Sequence, residues 1–361
     1  MLKKIGLWIG VLSLPLLAEV TLEQKIGQML MVGFHGTTAL PQSKICQDIK
    51  KYHIGSVILF DYNPVNKNKP KNIASKEQLK RLTTQLQQCS YDHKLLIAVD
   101  QEGGRVQRLK RKYGFYGHFP KASDVIKMDQ SQIKSTYIKM SKELKSVGIN
   151  YDLAPVVDLD INPKNHVIHG LGRSFGKSPK VVAAYASTFI DAMHHYGVLT
   201  SLKHFPGHGS SVGDTHRGFV DVTHLWHKVE MEPYRLLNQK ADTVMVAHVF
   251  NKKLDSKYPA TLSKKTVDGL LRRELGFNGV VITDDLQMGA ISKKYGLKRT
   301  LYLAINAGDD ILLFGNQLDP RKVVSSRTLV QTIESLVKSG AVSLSQINQS
   351  YRRIQRLKKR L

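Results

Sequence analysis

The chain has 361 residues, of which 42% are apolar, enough to bury a sizeable core in either one large barrel or two smaller domains. Its formal charge of +25 makes a field that would attract any polyanion. The lysines and arginines are spread along the chain and not clustered with aromatics, so the composition excludes a nucleic-acid platform.

Met1, Leu2, Lys3 and Lys4 form a basic start, followed by an apolar stretch from Ile5 to Leu17 and then Ala18. That is the pattern of an export signal over residues 1–18. The stretch is roughly 13 residues against the about 20 that span a bilayer, so stable membrane insertion is not expected. Leu16 stands where a cleavage site prefers a small residue, and no cysteine follows as in a lipid-attached protein. The expected location is the periplasm, with one catalytic domain over residues 19–361. Cys46 and Cys89 are the only cysteines; in an exported chain they form one disulfide or remain two buried thiols, and spacing does not decide.

Thr21 and Gln24 make a capping box that opens a helix with Leu22, Ile26, Met29 and Leu30 on one face. Eight short apolar runs then read as buried parallel strands: Met31 to Phe34, Ser56 to Phe60, Leu95 to Asp100, Tyr151 to Asp158, Leu199 to Phe205, Thr243 to Phe250, Gly279 to Asp284 and Asp310 to Phe314. Segments with helical spacing separate most of them, including Lys76 to Gln88, Ser131 to Val147, Pro179 to His195, Trp226 to Gln239 and Lys264 to Leu275. The Asn-, Lys- and Pro-rich stretch Asp61 to Ser75 reads as a loop. Ser343 to Leu361 carries Ile347, Tyr351, Ile354 and Leu357 at helical spacing, with its basic residues expected in solvent. Eight strands alternating with helices predict an α/β fold, a single-domain (β/α)8 TIM barrel. An open doubly wound sheet is the alternative, but no glycine-rich phosphate loop follows the first strand.

A barrel places its active site at the C-terminal ends of its strands. Here those ends are polar: Asp100, Asp158, Lys203 with His204, His248, and Asp284 with Asp285. Unpaired burial of such charges is costly, so they are expected to share a solvated mouth, although any one of them could be a structural ion pair. Pro206 and Gly207 keep His204 and His208 off one helical face, so the usual geometry of a metal pair is missing. The Gly- and Ser-rich stretch after them implies a mobile loop carrying Asp214 and His216. Asp214 can orient His216 and favour its protonated form, giving an acid/base group. Opposite it, a carboxylate could attack an anomeric carbon while the imidazolium protonates the leaving oxygen.

Several motifs occur in order: Val99-Asp100-Gln101-Glu102-Gly103-Gly104-Arg105-Val106-Gln107-Arg108, Ala154-Pro155-Val156-Val157-Asp158, Gly172-Arg173-Ser174, Lys203-His204-Phe205-Pro206-Gly207-His208-Gly209, Asp214-Thr215-His216 and Thr283-Asp284-Asp285-Leu286-Gln287-Met288. Together the chain resembles family 3 glycoside hydrolases from about Leu22 to Phe314. The Asp-x-His element is similar to that of the β-N-acetylglucosaminidase branch, whose glucosidase and xylosidase cousins take a carboxylate from a second domain that this chain is expected to lack. The resemblance implies Asp284 as nucleophile, His216 as acid/base and Asp214 as its partner. It further implies that Asp100, Arg108, Arg173, Lys203 and His204 bind the sugar. Neighbours on a strand face opposite ways, so only one of Asp284 and Asp285 can reach the sugar; spacing leaves this open, and the family's Ser or Thr before its nucleophile selects Asp284 after Thr283.

The expected activity is therefore retaining hydrolysis of terminal β-linked N-acetylglucosamine from peptidoglycan fragments, by a monomer with no cofactor or metal and no nucleic-acid partner. Two rivals remain. One is a phosphorylase, in which phosphate intercepts the glycosyl-enzyme because no second carboxylate repels it. The other is a metal-dependent amidohydrolase drawing ligands from His204, His208, His216 and His248. A non-catalytic wall-binding protein would not need the intact acid/base pair.

Overall fold

Thr21 caps the helix α1, Leu22–Gln28: its hydroxyl accepts from the Gln24 amide at 3.2 Å, and the Gln24 side chain accepts from the Thr21 amide at 2.7 Å. The computed structural model describes residues 20–361 apart from 67 and 93. The expected export signal over residues 1–18 lies outside the described residues. Among the described residues, no helix is long and apolar enough to cross a membrane.

Eight parallel strands follow: β1 (Leu30–Gly33), β2 (Ser56–Ile58), β3 (Leu96–Val99), β4 (Tyr151–Asp152), β5 (Leu199–Phe205), β6 (Thr243–Val246), β7 (Val280–Thr283) and β8 (Leu312–Phe314). Seven lie within the predicted apolar runs, and β1 begins one residue before its run, at Leu30. Every residue in them is buried, as a sheet covered on both faces requires, which is why the runs are continuous and not alternating. Each strand pairs with the next in sequence, and β8 returns to β1 with Leu30 opposite Leu312. The ring closes between β7 and β8 through one bridge, Ile282 to Ile311, with the Thr283 amide donating to the Ile311 carbonyl at 3.0 Å. The fold is a (β/α)8 barrel.

Helices cover the outside: α2 (Lys44–Tyr52), α3 (Lys76–Cys89), α4 (Gln130–Ser146), α5 (Pro179–His195), α6 (Glu232–Leu237), a π-helix over Lys265–Glu274, α7 (Leu297–Ala307), α8 (Ser326–Lys338) and α9 (Leu344–Lys358). α3 shows the pattern: Leu79, Leu82, Leu86 and Cys89 recur at helical spacing and are buried. Tyr137 of α4 meets Phe189 of α5 edge to face at 4.9 Å. Cys46 and Cys89 form a disulfide, with Cα atoms 5.2 Å apart, that joins α2 to α3.

Four local expectations are revised. β4 stops at Asp152 because Pro155 has no amide to continue the ladder, leaving only a bridge from Val156 to Lys203. Thr243 to Phe250 is divided: Val249–Phe250 leaves the barrel and pairs with Val220–Asp221 as a small ribbon. Trp226 to Gln239 is a 3-10 turn, Lys228–Met231, followed by α6, which begins at Glu232 with Pro233 in its first turn. The basic face of α9 is only partly in solvent: Arg353 pairs with Asp310 at 3.1 Å, and buried Lys358 donates to Gln28 at 2.7 Å. Just past α9, Arg360 pairs with Asp242.

Candidate active site

The strand ends and their loops enclose a cavity of about 780 Å³. All eight sequence-predicted residues line it: Asp100, Arg108, Arg173, Lys203, His204, Asp214, His216 and Asp284. Asp61, Glu102, His208 and Asp285 line it as well.

Its floor is a chain of charges. Asp100, just past β3, accepts from Arg108 at 3.0 Å and from Lys203 of β5 at 3.0 Å. Glu102 takes the other side of Lys203 at 2.7 Å and a two-pronged contact from Arg173, 2.8 Å for each bond. Burial would raise both acids, but the charges of Lys203 and Arg108 around Asp100, and of Arg173 and Lys203 around Glu102, hold both carboxyls well below the usual range. Burial by itself would lower Lys203; Glu102 and Asp100 reverse this and keep it a cation. Sequence order gives no sign of Glu102, which lies past the strand end and whose partners Lys203 and Arg173 come from distant segments.

Asp158 orients the histidines. It accepts from the His204 ring Nδ1 at 2.7 Å, from the His204 amide at 3.2 Å and from the His208 amide at 2.8 Å. On its other side the His204 Nε2 faces Arg173 Nη2 at 3.5 Å. His208 Nδ1 contacts Ser211 Oγ at 2.7 Å, and burial pushes this imidazole down to about 4. His248 donates from Nε2 to the Asp285 carbonyl at 2.9 Å and meets Thr261 Oγ1 through Nδ1 at 2.8 Å. Among the described residues, no three His, Cys, Asp or Glu side chains group as a metal site. Of the histidines of the amidohydrolase alternative, His204 and His216 meet Asp158 and Asp214 through Nδ1, His208 meets Ser211, and His248 uses both ring nitrogens.

The two adjacent carboxylates separate cleanly. Asp284, beyond the end of β7, lines the cavity with its amide bonded to the Val246 carbonyl at 3.1 Å and its Oδ1 accepting from the Asp285 amide at 2.8 Å. Burial would raise its carboxyl, but the imidazoles of His248, His204 and His216 outweigh it and hold Asp284 below the usual range. Asp285 turns toward the end of β8, where its Oδ1 accepts from the Gln287 and Gly315 amides at 3.0 and 3.2 Å. Burial, with the Asp284 charge beside it, pushes Asp285 up to about 6.

On the long loop after β5, His216 Nδ1 meets Asp214 Oδ1 at 2.8 Å, and the same oxygen accepts the His216 amide at 2.9 Å. Burial would raise Asp214; the His216 amide and ring reverse this and leave it below the usual range. This loop meets the connection after β7: the Gly289 and Ala290 amides, just beyond Asp284, donate to its His216 and Thr215 carbonyls, each at 3.2 Å.

The profile described as the glycosyl hydrolase family 3 N-terminal domain matches residues 21–357. The chain is 31% identical over 381 aligned positions to beta-hexosaminidase A of Pseudoalteromonas piscicida, covering 95% of this chain and 62% of that protein. It is 33% identical over 299 positions to a beta-hexosaminidase of Xylella fastidiosa (strain M23), covering 79% of this chain and 82% of the relative. Among solved structures, a glycoside hydrolase family 3 beta-N-acetylglucosaminidase from Paenibacillus sp. str. FPU-7 superposes with a TM-score of 0.84 at 34% identity, over 95% of this chain and 63% of that one. A beta-N-acetylhexosaminidase from Beutenbergia cavernae DSM 12333 superposes at 0.83 and 29% identity, over 95% and 99%. The chain thus spans under two thirds of the Pseudoalteromonas and Paenibacillus relatives and nearly all of the Beutenbergia one. The barrel, the ordered motifs at its strand ends and a match over almost every described residue lead to one assignment: the chain belongs to glycosyl hydrolase family 3.

Proposed function

We propose that the chain is a retaining β-N-acetylglucosaminidase that uses Asp284 as nucleophile and His216, oriented by Asp214, as acid/base. The observation that carries this reading is the division of labour around the cavity. Asp100 and Glu102 are neutralised by cations, Asp61 is held by Lys110 at 2.6 Å, and Asp285 is occupied by the Gly315 amide at the end of β8. Asp284 is left as the ionised carboxylate free to attack, and the Asp214–His216 pair as the proton carrier. In the first step Asp284 bonds to the anomeric carbon while His216 Nε2–H gives its proton to the departing oxygen. In the second step the now neutral imidazole takes a proton from water, the water oxygen bonds to the anomeric carbon, and the Asp284–carbon bond breaks.

Asp100, Arg108, Arg173, Lys203 and His204 offer a fixed set of donors and acceptors for a sugar's hydroxyl and acetamido groups. The hydrolysed glycans are proposed to be terminal N-acetylglucosamine residues of peptidoglycan fragments, handled by a monomer in the periplasm. The relatives named as beta-hexosaminidases and the cystine, suited to an oxidising compartment, support this.

The test is an aryl β-N-acetylglucosaminide against the matching glucoside, with product analysis in the presence and absence of phosphate. Hydrolysis of the acetamido substrate alone is expected; a sugar phosphate as main product would establish the phosphorylase instead. A mechanism-based fluorosugar should label Asp284, Asp284→Ala should abolish turnover, and His216→Ala should lower it by about 10²–10⁴-fold on poor leaving groups. Labelling of Asp285 would overturn the assignment. Cell fractionation should recover the protein, shortened by its first 18 residues, from the periplasm.

A further inference from the structure

The connection after β7 carries more than Asp284. Five residues on, a four-residue helix, Gly289–Ser292, begins with no side-chain cap from Met288. The first amides of a helix have no acceptor within it and must find one elsewhere. Here the loop that bears His216 supplies them: the Gly289 amide donates to the His216 carbonyl and the Ala290 amide to the Thr215 carbonyl, both at 3.2 Å. Lys293 Nζ adds a bond to the Arg217 carbonyl at 2.7 Å. A Cβ on Gly289 would stand 2.9 Å from both the His216 and the Arg217 carbonyl oxygens, nearer than side-chain carbons approach, and both neighbours are backbone.

We infer that Gly289 is the seat of the acid/base loop, a positioning residue that sets how far His216 stands from the sugar. One connection then aligns both chemical groups, Asp284 directly and His216 through the docked backbone. The inference rests on the proposed role of His216. Any side chain at 289 lifts the loop and withdraws the imidazole from the leaving oxygen, while the sugar pocket and nucleophile stay in place.

The experiment compares the full-length wild type with Gly289→Ala, Lys293→Met, His216→Ala and the control Gly296→Ala, whose position has open space around it. The substrates are aryl N-acetylglucosaminides with leaving groups from phenol to 2,4-dinitrophenol. Gly289→Ala should lose about 10²-fold in kcat/KM on the phenyl substrate, the order of loss expected from a misplacement of about 1 Å. It should lose little on the dinitrophenyl substrate, whose departure needs no proton. On the dinitrophenyl substrate azide, which attacks the glycosyl-enzyme without a base, should raise kcat and give the glycosyl azide. Gly296→Ala should match the wild type. An equal loss on all leaving groups, or none, overturns the inference. If Gly289→Ala does not fold by thermal melting, Lys293→Met decides, with a smaller loss of the same pattern in favour and a uniform or absent effect against. If His216→Ala itself shows no leaving-group dependence, it is the acid/base assignment that fails.

Discussion

Glu230 sits at the entry to α6, wholly buried, accepting from the Ser210 amide at 3.1 Å and from the His227 amide at 3.2 Å. Burial pushes its carboxyl up to about 7. In the unfolded chain the proton leaves near 4.5, so between that pH and 7 the folded state keeps a proton that the unfolded state has lost. Stability therefore falls as pH rises through this window, by up to about 3 kcal/mol for a shift of this size. Glu230→Gln should match the wild type near pH 4.5 and exceed it at pH 8, read from urea midpoints; parallel curves would refute this. Asp100 and Glu102 act in the opposite sense: their contribution is complete above the ordinary carboxylate range and is lost as pH falls toward their lower folded values. At this scale the strand-end residues were legible in the sequence because a charge at the end of an apolar run has few other uses. Glu102 was not, because it lies past the strand end among glycines, and its partners Lys203 and Arg173 come from distant segments.

The apolar runs revealed all eight strands, since burial on both faces leaves an unbroken signature. Their ends were less legible. Where a run continues past the sheet, as in Tyr151 to Asp158 and Thr243 to Phe250, hydrophobicity records burial in general, not pairing. Likewise Lys264 to Leu275 shows helical spacing, but the spacing did not distinguish the wider winding of Lys265–Glu274. The joint between β7 and β8 was invisible because it is held largely by polar groups. Asp310, at the foot of β8, accepts from Arg272 at 2.6 Å, the Val281 amide at 2.9 Å, Ser350 at 2.8 Å and Arg353 at 3.1 Å. Asp310→Asn would leave Arg272 and the partly exposed Arg353 without the counter-charge of a fully buried carboxylate, at a cost of about 3 kcal/mol. Chemical denaturation should show that loss; a change under 1 kcal/mol would mean that the joint does not depend on the ion cluster.

For the molecule as a whole, the fold settles what two cysteines in a sequence left open, because α2 and α3 are neighbours on the barrel wall. The bond spans a sequence separation of 43, so Cys46→Ser with Cys89→Ser should lower stability by about 2–4 kcal/mol, measured against the wild type in denaturant. An unchanged midpoint would show that the wall packs as well without it. The cavity gives a different whole-molecule consequence. Arg108, Arg173 and Lys203 each have a carboxylate within 3.0 Å, inside a chain of net charge +25. Ions in solution screen over about 8 Å at physiological strength, a length much greater than these pairs, so added salt quiets the outer field and leaves the pocket untouched. Rising ionic strength therefore separates two encounters: an uncharged ligand meets the same pocket throughout, while a polyanion loses the attraction that gathers it to the surface.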